Sequence, residues 1–173
     1  MSSNPEGAAI RASHLLQSAG RKRAGFWISA WWPVAAGIAV ISVESTVWLG
    51  ADHTSGPLRR LYEAIFGPVS DPGWEIIHHC IRKTGHFIGY GLLGLAWLRA
   101  WRMSLPQSRF LPDALLALAG TAAIAICDEW HQAFLPNRTS SPWDVLIDCS
   151  GAIVLCLVAY GFARLTHPER LQA

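Results

Sequence analysis

Ten residues of this chain have types and spacings that could support proton transfer or head-group binding. Lys83, His86 and Tyr90 are three and four residues apart, so on a helix they share one face. Asp128 and Gln132 are four apart, as are Asp144 and Asp148. Glu129 follows Asp128 directly, about 100° further round a helix, so the two carboxylates point in different directions. Arg138 falls between these two acidic pairs, and Glu44 interrupts the far end of an earlier apolar run. Histidine titrates close to neutral pH and is a natural general acid or base. His86 and Glu129 are therefore the candidates for proton transfer, with Asp128 beside them. Lys83, Tyr90, Gln132, Arg138, Asp144, Asp148 and Glu44 are the candidates for binding and orientation.

Each candidate also has a plainer reading. Asp128 or Glu129 could pair with Arg138 or Lys83 to fix helix packing, leaving the other carboxylate to face a cavity. His86 could simply hydrogen-bond a carboxylate across the fold, and Tyr90 has the look of an interfacial tyrosine. Arg138 can hold an anion through bidentate contacts, or pair with Asp144. Asp144 follows Ser140-Ser141-Pro142, where a helix N-cap belongs. Asp148, one turn further in, would meet Glu129, His86 or Gln132. His78, His79 and His131 show no HxxxH or HExxH spacing, so neither a metal nor a cofactor is expected. The four cysteines form no CxxC pair and three lie in apolar segments, where a thiol acts as a small hydrophobe.

The elements that must position these residues are membrane spans. Of 173 residues, 51% are hydrophobic and 15% charged, against roughly a quarter charged in a soluble domain. The apolar residues form four blocks, giving expected spans at about 26–49, 85–103, 111–131 and 144–163. Each is near the roughly 20 residues needed to cross a bilayer. The fold class expected is all-α, a polytopic helical bundle of about four spans, with one membrane domain over 26–164. Residues 1–25 and 165–173 form polar tails, and an amphipathic segment, 52–83, joins the first two spans. Gly85, Gly89, Gly91, Gly94, Gly120 and Gly151 are expected to permit close helix contact.

Lysine and arginine flank the first span on its N-terminal side, gather between the second and third spans as Arg99, Arg102 and Arg109, and follow the last span. By the positive-inside rule both termini are cytoplasmic in the inner membrane, although Arg59, Arg60, Arg82 and Lys83 oppose that assignment. These basic residues border apolar blocks, which marks them as topology signals and not a nucleic-acid surface. Trp27, Trp31, Trp32, Trp97 and Trp101 are expected in one interfacial belt; Trp48, Trp130 and Trp143 are expected in the other. In this topology all ten candidates gather at the outward ends of the spans. Ionisable groups at membrane depth are costly and mark functional sites.

Two stretches resemble the VanZ-like family. Lys83-Thr-Gly-His86-Phe-Ile-Gly-Tyr90 is similar to its first motif, a lysine followed by HxxxY. The second motif is DExxQxFxPxR, then Asp, then Asp followed three residues later by Gly. It is matched by Asp128, Glu129, Gln132, Phe134, Pro136, Arg138, Asp144, Asp148 and Gly151. Arg82 stands where many relatives carry Asp, and Asn137 where many carry Gly. The resemblance covers roughly residues 26–163. It implies a multi-pass protein of the bacterial cell envelope, from a family whose namesake is associated with low-level teicoplanin resistance. The expected partners are membrane lipids or a lipid-linked envelope precursor met by the polar pocket, without nucleic acid; the oligomeric state is left open. The rival functions are a membrane hydrolase or transferase acting on such a precursor, a structural accessory subunit, and a proton-coupled transporter.

Overall fold

The computed structural model describes residues 5–46, 51–135 and 140–166. Within them the chain is wholly helical: α1 (Pro5–Glu44), α2 (Ala51–Phe66), α3 (Asp71–Ser104), α4 (Phe110–Ala133) and α5 (Pro142–Thr166). The second, third and fourth apolar blocks lie inside helices longer than themselves, whereas the first, expected at 26–49, leaves the helix at Glu44 and its residues 47–49 lie outside those described. α1 starts well before the first block, so residues 5–25, expected as a polar tail, continue the helix. α2 begins at Ala51, upstream of Pro57 where the amphipathic helix was expected, and ends at Gly67, whose φ is +89°. This left-handed turn costs glycine little and other residues more.

Three stretches are long and apolar enough to cross a membrane: Arg23–Glu44, Phe110–Ala133 and Pro142–Thr166. At about 1.5 Å per residue, each exceeds the roughly 30 Å hydrocarbon thickness. The remaining expected span, 85–103, lies within α3, where His86, Arg99, Arg102 and several glycines dilute the apolar run. α3 can carry them because it is the central helix, packed against α1, α4 and α5. Exposed Leu115, Ile126, Leu157, Val158 and Phe162 line the outer faces of α4 and α5, as suits contact with lipid chains. The chain is a multi-pass helical membrane protein.

α1 and α4 end where α3 and α5 pass from their polar first turns into the bundle, and this shared end holds most of the candidate residues. At the opposite end Trp31 packs edge-on against Trp97 and Trp101, at 5.5 and 5.0 Å between ring centroids. Its indole nitrogen donates to Ser104 Oγ at 3.2 Å. Three tryptophans expected in an interfacial belt thus pack on one another within the bundle, while Trp27 and Trp32 are exposed. Trp48 lies outside the described residues.

α2 docks on the first turns of α3. Arg59 Nη1 donates to Asp71 at 2.7 Å and its Nη2 to the Val69 carbonyl at 2.7 Å. Arg59 also hydrogen-bonds Glu63, which holds that carboxyl below the usual range. The Trp74 indole donates to Ser55 Oγ at 2.7 Å and stacks on His78. Burial, reinforced by the charge of Arg82, lowers the pKa of His78.

α3 and α5 run parallel and approach very closely. A Cβ on Gly151 would sit 2.0 Å from the Phe87 carbonyl oxygen; one on Gly94 would meet Ala152 Cβ at 2.8 Å. Gly91 is crowded by Leu155, and Gly120 by the Trp97 ring. Gly85 and Gly89 differ from the expectation, because nothing lies within 4 Å of their Cβ positions. Gly151→Ala should force α3 and α5 apart and cost about 1–3 kcal/mol or more. Gly161→Ala, in open space, should be neutral or stabilise by up to about 1 kcal/mol. Thermal melting of the two variants in one detergent checks this; equal melting temperatures would contradict the packing.

Candidate functional site

The α3–α5 register sets the first two pairs of the polar end. Lys83 Nζ donates to Asp144 Oδ1. One turn deeper, His86 Nδ1 lies 3.3 Å from Asp148 Oδ1. A carboxylate can only accept, so in the neutral ring Nδ1 carries the hydrogen and Nε2 keeps the lone pair. Asp148 has no exposed surface, and the His86 ring stacks over Tyr90, 6.1 Å between centroids.

α1 and α4 supply the other side. Ser45, buried just past the end of α1, donates to Asp128 Oδ1. Gln132 Nε2 donates to Asp128 Oδ2 at 2.9 Å and approaches Ser45 Oγ at 3.4 Å. Asp128 is thus held by neutral donors, not by Lys83 as one reading of the sequence allowed. Glu129 Oε2 accepts the Ser141 backbone N–H at 2.8 Å, tying the end of α4 to the start of α5.

Asp144 is not the N-cap of α5. The helix begins one residue after Ser141, whose hydroxyl accepts from Trp143 N at 3.3 Å. Pro142 follows at the first helical position, where its missing N–H costs nothing. Asp144 therefore sits inside the first turn and is free to meet Lys83. Arg138 lies outside the described residues. Glu44, exposed at the end of α1, lines the same small cavity as His86, Tyr90, Asp128 and Gln132. All the described candidates thus lie at one end, though in separate pairs and not as one connected network.

Two small cavities open here. One, of about 20 Å³, lies between α1, α3 and α4 and is lined by Glu44, Ser45, His86, Tyr90, Asp128 and Gln132. The other, of about 30 Å³, lies between α3 and α5 and is lined by His79, Arg82, Lys83, His86 and Asp144. His86 lines both. The first is acidic and the second predominantly basic.

Three buried polar atoms at this end have no hydrogen-bond partner among the described residues: Tyr90 Oη, Glu129 Oε1 and Asp148 Oδ2. Tyr90 is 2% exposed and Glu129 5%. Leaving such atoms unpaired costs about 1–3 kcal/mol each, so water or a ligand group is expected against them. Among the described residues no group of three or more His, Cys, Asp or Glu side chains is arranged to hold a metal ion. The arrangement suits proton exchange between a histidine and a carboxylate, and hydrogen bonding of a small polar group.

Three structural residues were not singled out in the sequence. Ser45 is a lone serine after Glu44, with no spacing partner to draw attention to it. Ser141 stood in the capping segment but was passed over for Asp144. Asp113, at the opposite end, looks like an ordinary first-turn acid. It is fully buried, with Arg102 Nη1 3.5 Å from Oδ2.

Comparison with known families supplies the class. The chain matches the family described as VanZ/LLP1 over residues 30–164, and it belongs to that family. The match takes in the described site residues, all of α4 and most of the spans in α1 and α5. No curated protein and no solved structure matches the chain.

The Lys83–Asp144 pair is 28% and 13% exposed, too sheltered for full solvent screening. A double-mutant cycle with Lys83→Met and Asp144→Asn should give a coupling of about 0.5–3 kcal/mol in detergent unfolding. Additive single effects would show that the pair contributes nothing.

Proposed function

We propose that this VanZ/LLP1-family protein binds the polar head of an envelope lipid or lipid-linked precursor at the polar end of its bundle, and thereby alters sensitivity to glycopeptides such as teicoplanin. The observation that carries this reading is the pair of small polar cavities that share His86, one of them lined also by Tyr90, Asp128 and Gln132 and the other by Lys83 and Asp144. In this reading the polar end faces outward, with both termini in the cytoplasm, as the basic residues around the 104–110 connection favour. His86 and Glu129 would exchange a proton with a bound head group. Asp128, Gln132 and Asp148 orient them, and Arg138 would hold an anionic portion of the ligand.

A purely structural role is the second reading, favoured by the Lys83–Asp144 and His86–Asp148 pairs themselves. The test is teicoplanin susceptibility of a sensitive host expressing wild type, His86→Ala or Glu129→Gln at matched membrane levels. Wild type should raise tolerance, and both variants should lose it while melting close to wild type. Tolerance that tracks only the amount of folded protein would support the structural reading. No effect of wild type at any level would detach the glycopeptide association from this chain.

A further inference from the structure

An apolar groove of about 530 Å³ runs between α1 and α3 along the membrane-facing side. Pro33, Ala36, Val40, Ile88, Leu92 and Ala96 are among its walls. It does not end blindly, because Ile41, Glu44, Gly85 and Gly89 line both the groove and the acidic cavity. Gly85 and Gly89 are the two α3 glycines whose missing side chains serve no helix contact. Their absence of bulk instead keeps open the passage between groove and cavity. A second apolar groove, of about 320 Å³ between α4 and α5, has no carboxylate or cation in its lining.

The acidic cavity is selective in size and sign. Its volume of about 20 Å³ is on the order of one or two water molecules. Among the described residues its ionisable lining consists of the Glu44 and Asp128 carboxylates, His86 and Tyr90, while Lys83 and Arg82 face the other cavity. The Tyr90 hydroxyl, on a residue 2% exposed, lines it without a hydrogen-bond partner among the described residues. A phosphate would be too large and would meet the like charge of Asp128. An ammonium matches the space, the sign and the hydroxyl acceptor.

We infer that groove and cavity form one site for an amphiphile, with its hydrocarbon chain between α1 and α3 and an ammonium group entering first, toward Asp128 and Tyr90. This rests on the head-group reading above and adds to it the path of the chain and the charge of the group bound beside it.

The test uses the full chain in phosphatidylcholine nanodiscs at neutral pH. The probes are a long-chain alkylamine and the matching alkyl phosphate, each with a photoactivatable group at mid-chain. The amine should label residues 33–45 and 85–96 in preference to the phosphate by on the order of tenfold. Gly89→Leu and Gly85→Leu, whose side chains enter empty space, should abolish that labelling while melting like wild type. Asp128→Asn should reduce it, and labelling at the α4–α5 groove should stay constant throughout. Equal labelling by both probes, or labelling that survives both leucine variants, would overturn the inference. So would protection of the groove by a second copy of the chain, seen as a cross-linked dimer in place of probe adducts. Groove labelling that prefers the phosphate removes the ammonium assignment and leaves the head-group reading standing. Labelling indifferent to head group and to Asp128→Asn removes both.

Discussion

The close approach of α3 and α5 governs the rest of the molecule. Gly151 admits the Phe87 carbonyl into space that any side chain would occupy. That contact lies one residue beyond His86 on α3 and three beyond Asp148 on α5. Because the helices run parallel, it sets the register that places Lys83 opposite Asp144 and His86 opposite Asp148. Carboxylates at membrane depth are expensive unless each finds a donor, and this register supplies donors for Asp144 and Asp148. Asp128 and Glu129 are served from elsewhere, by Ser45, Gln132 and the Ser141 backbone.

The two ends of the bundle solve the same electrostatic problem differently. At one end Arg102 faces the buried Asp113, and Arg99 donates to the Ser29 and Ala30 carbonyls at 2.9 and 3.0 Å. Tryptophan rings fill the space around them. At the other end, small residues and short polar side chains leave two small cavities. Among the described residues, buried atoms without a hydrogen-bond partner occur at both ends, on Tyr90, Glu129 and Asp148 here and on Trp97, Trp101 and Asp113 there. A sequence tuned only for stability would fill such space with apolar side chains. The two ends differ in filling more than in the number of charges.

Much of this was legible because membrane sequences are simple at coarse scale. The apolar blocks predicted the helices, and the three- and four-residue spacings around His86, Asp128 and Asp148 placed those residues on shared faces. Pairing was harder to read. Whether Asp144 capped its own helix or met Lys83 depended on a register set by one glycine contact far along the chain. The glycines themselves were ambiguous: Gly91 and Gly94 touch α5, whereas Gly85 and Gly89 open toward α1, and composition cannot distinguish the two faces. Ser45 escaped notice because an isolated serine has no periodic partner. The central position of α3 explains why its apolar run is weaker than those of its neighbours.

The central claim is that the polar end holds a ligand and not merely an internal lock. Native mass spectrometry of wild type and Asp128→Asn, released from the same bilayer, tests it most directly. The account predicts a lipid adduct on wild type at one copy per chain, greatly reduced in Asp128→Asn while the melting temperature changes little. A variant that retains the adduct at wild-type occupancy, or a wild type carrying only the bulk lipid mixture, would contradict it.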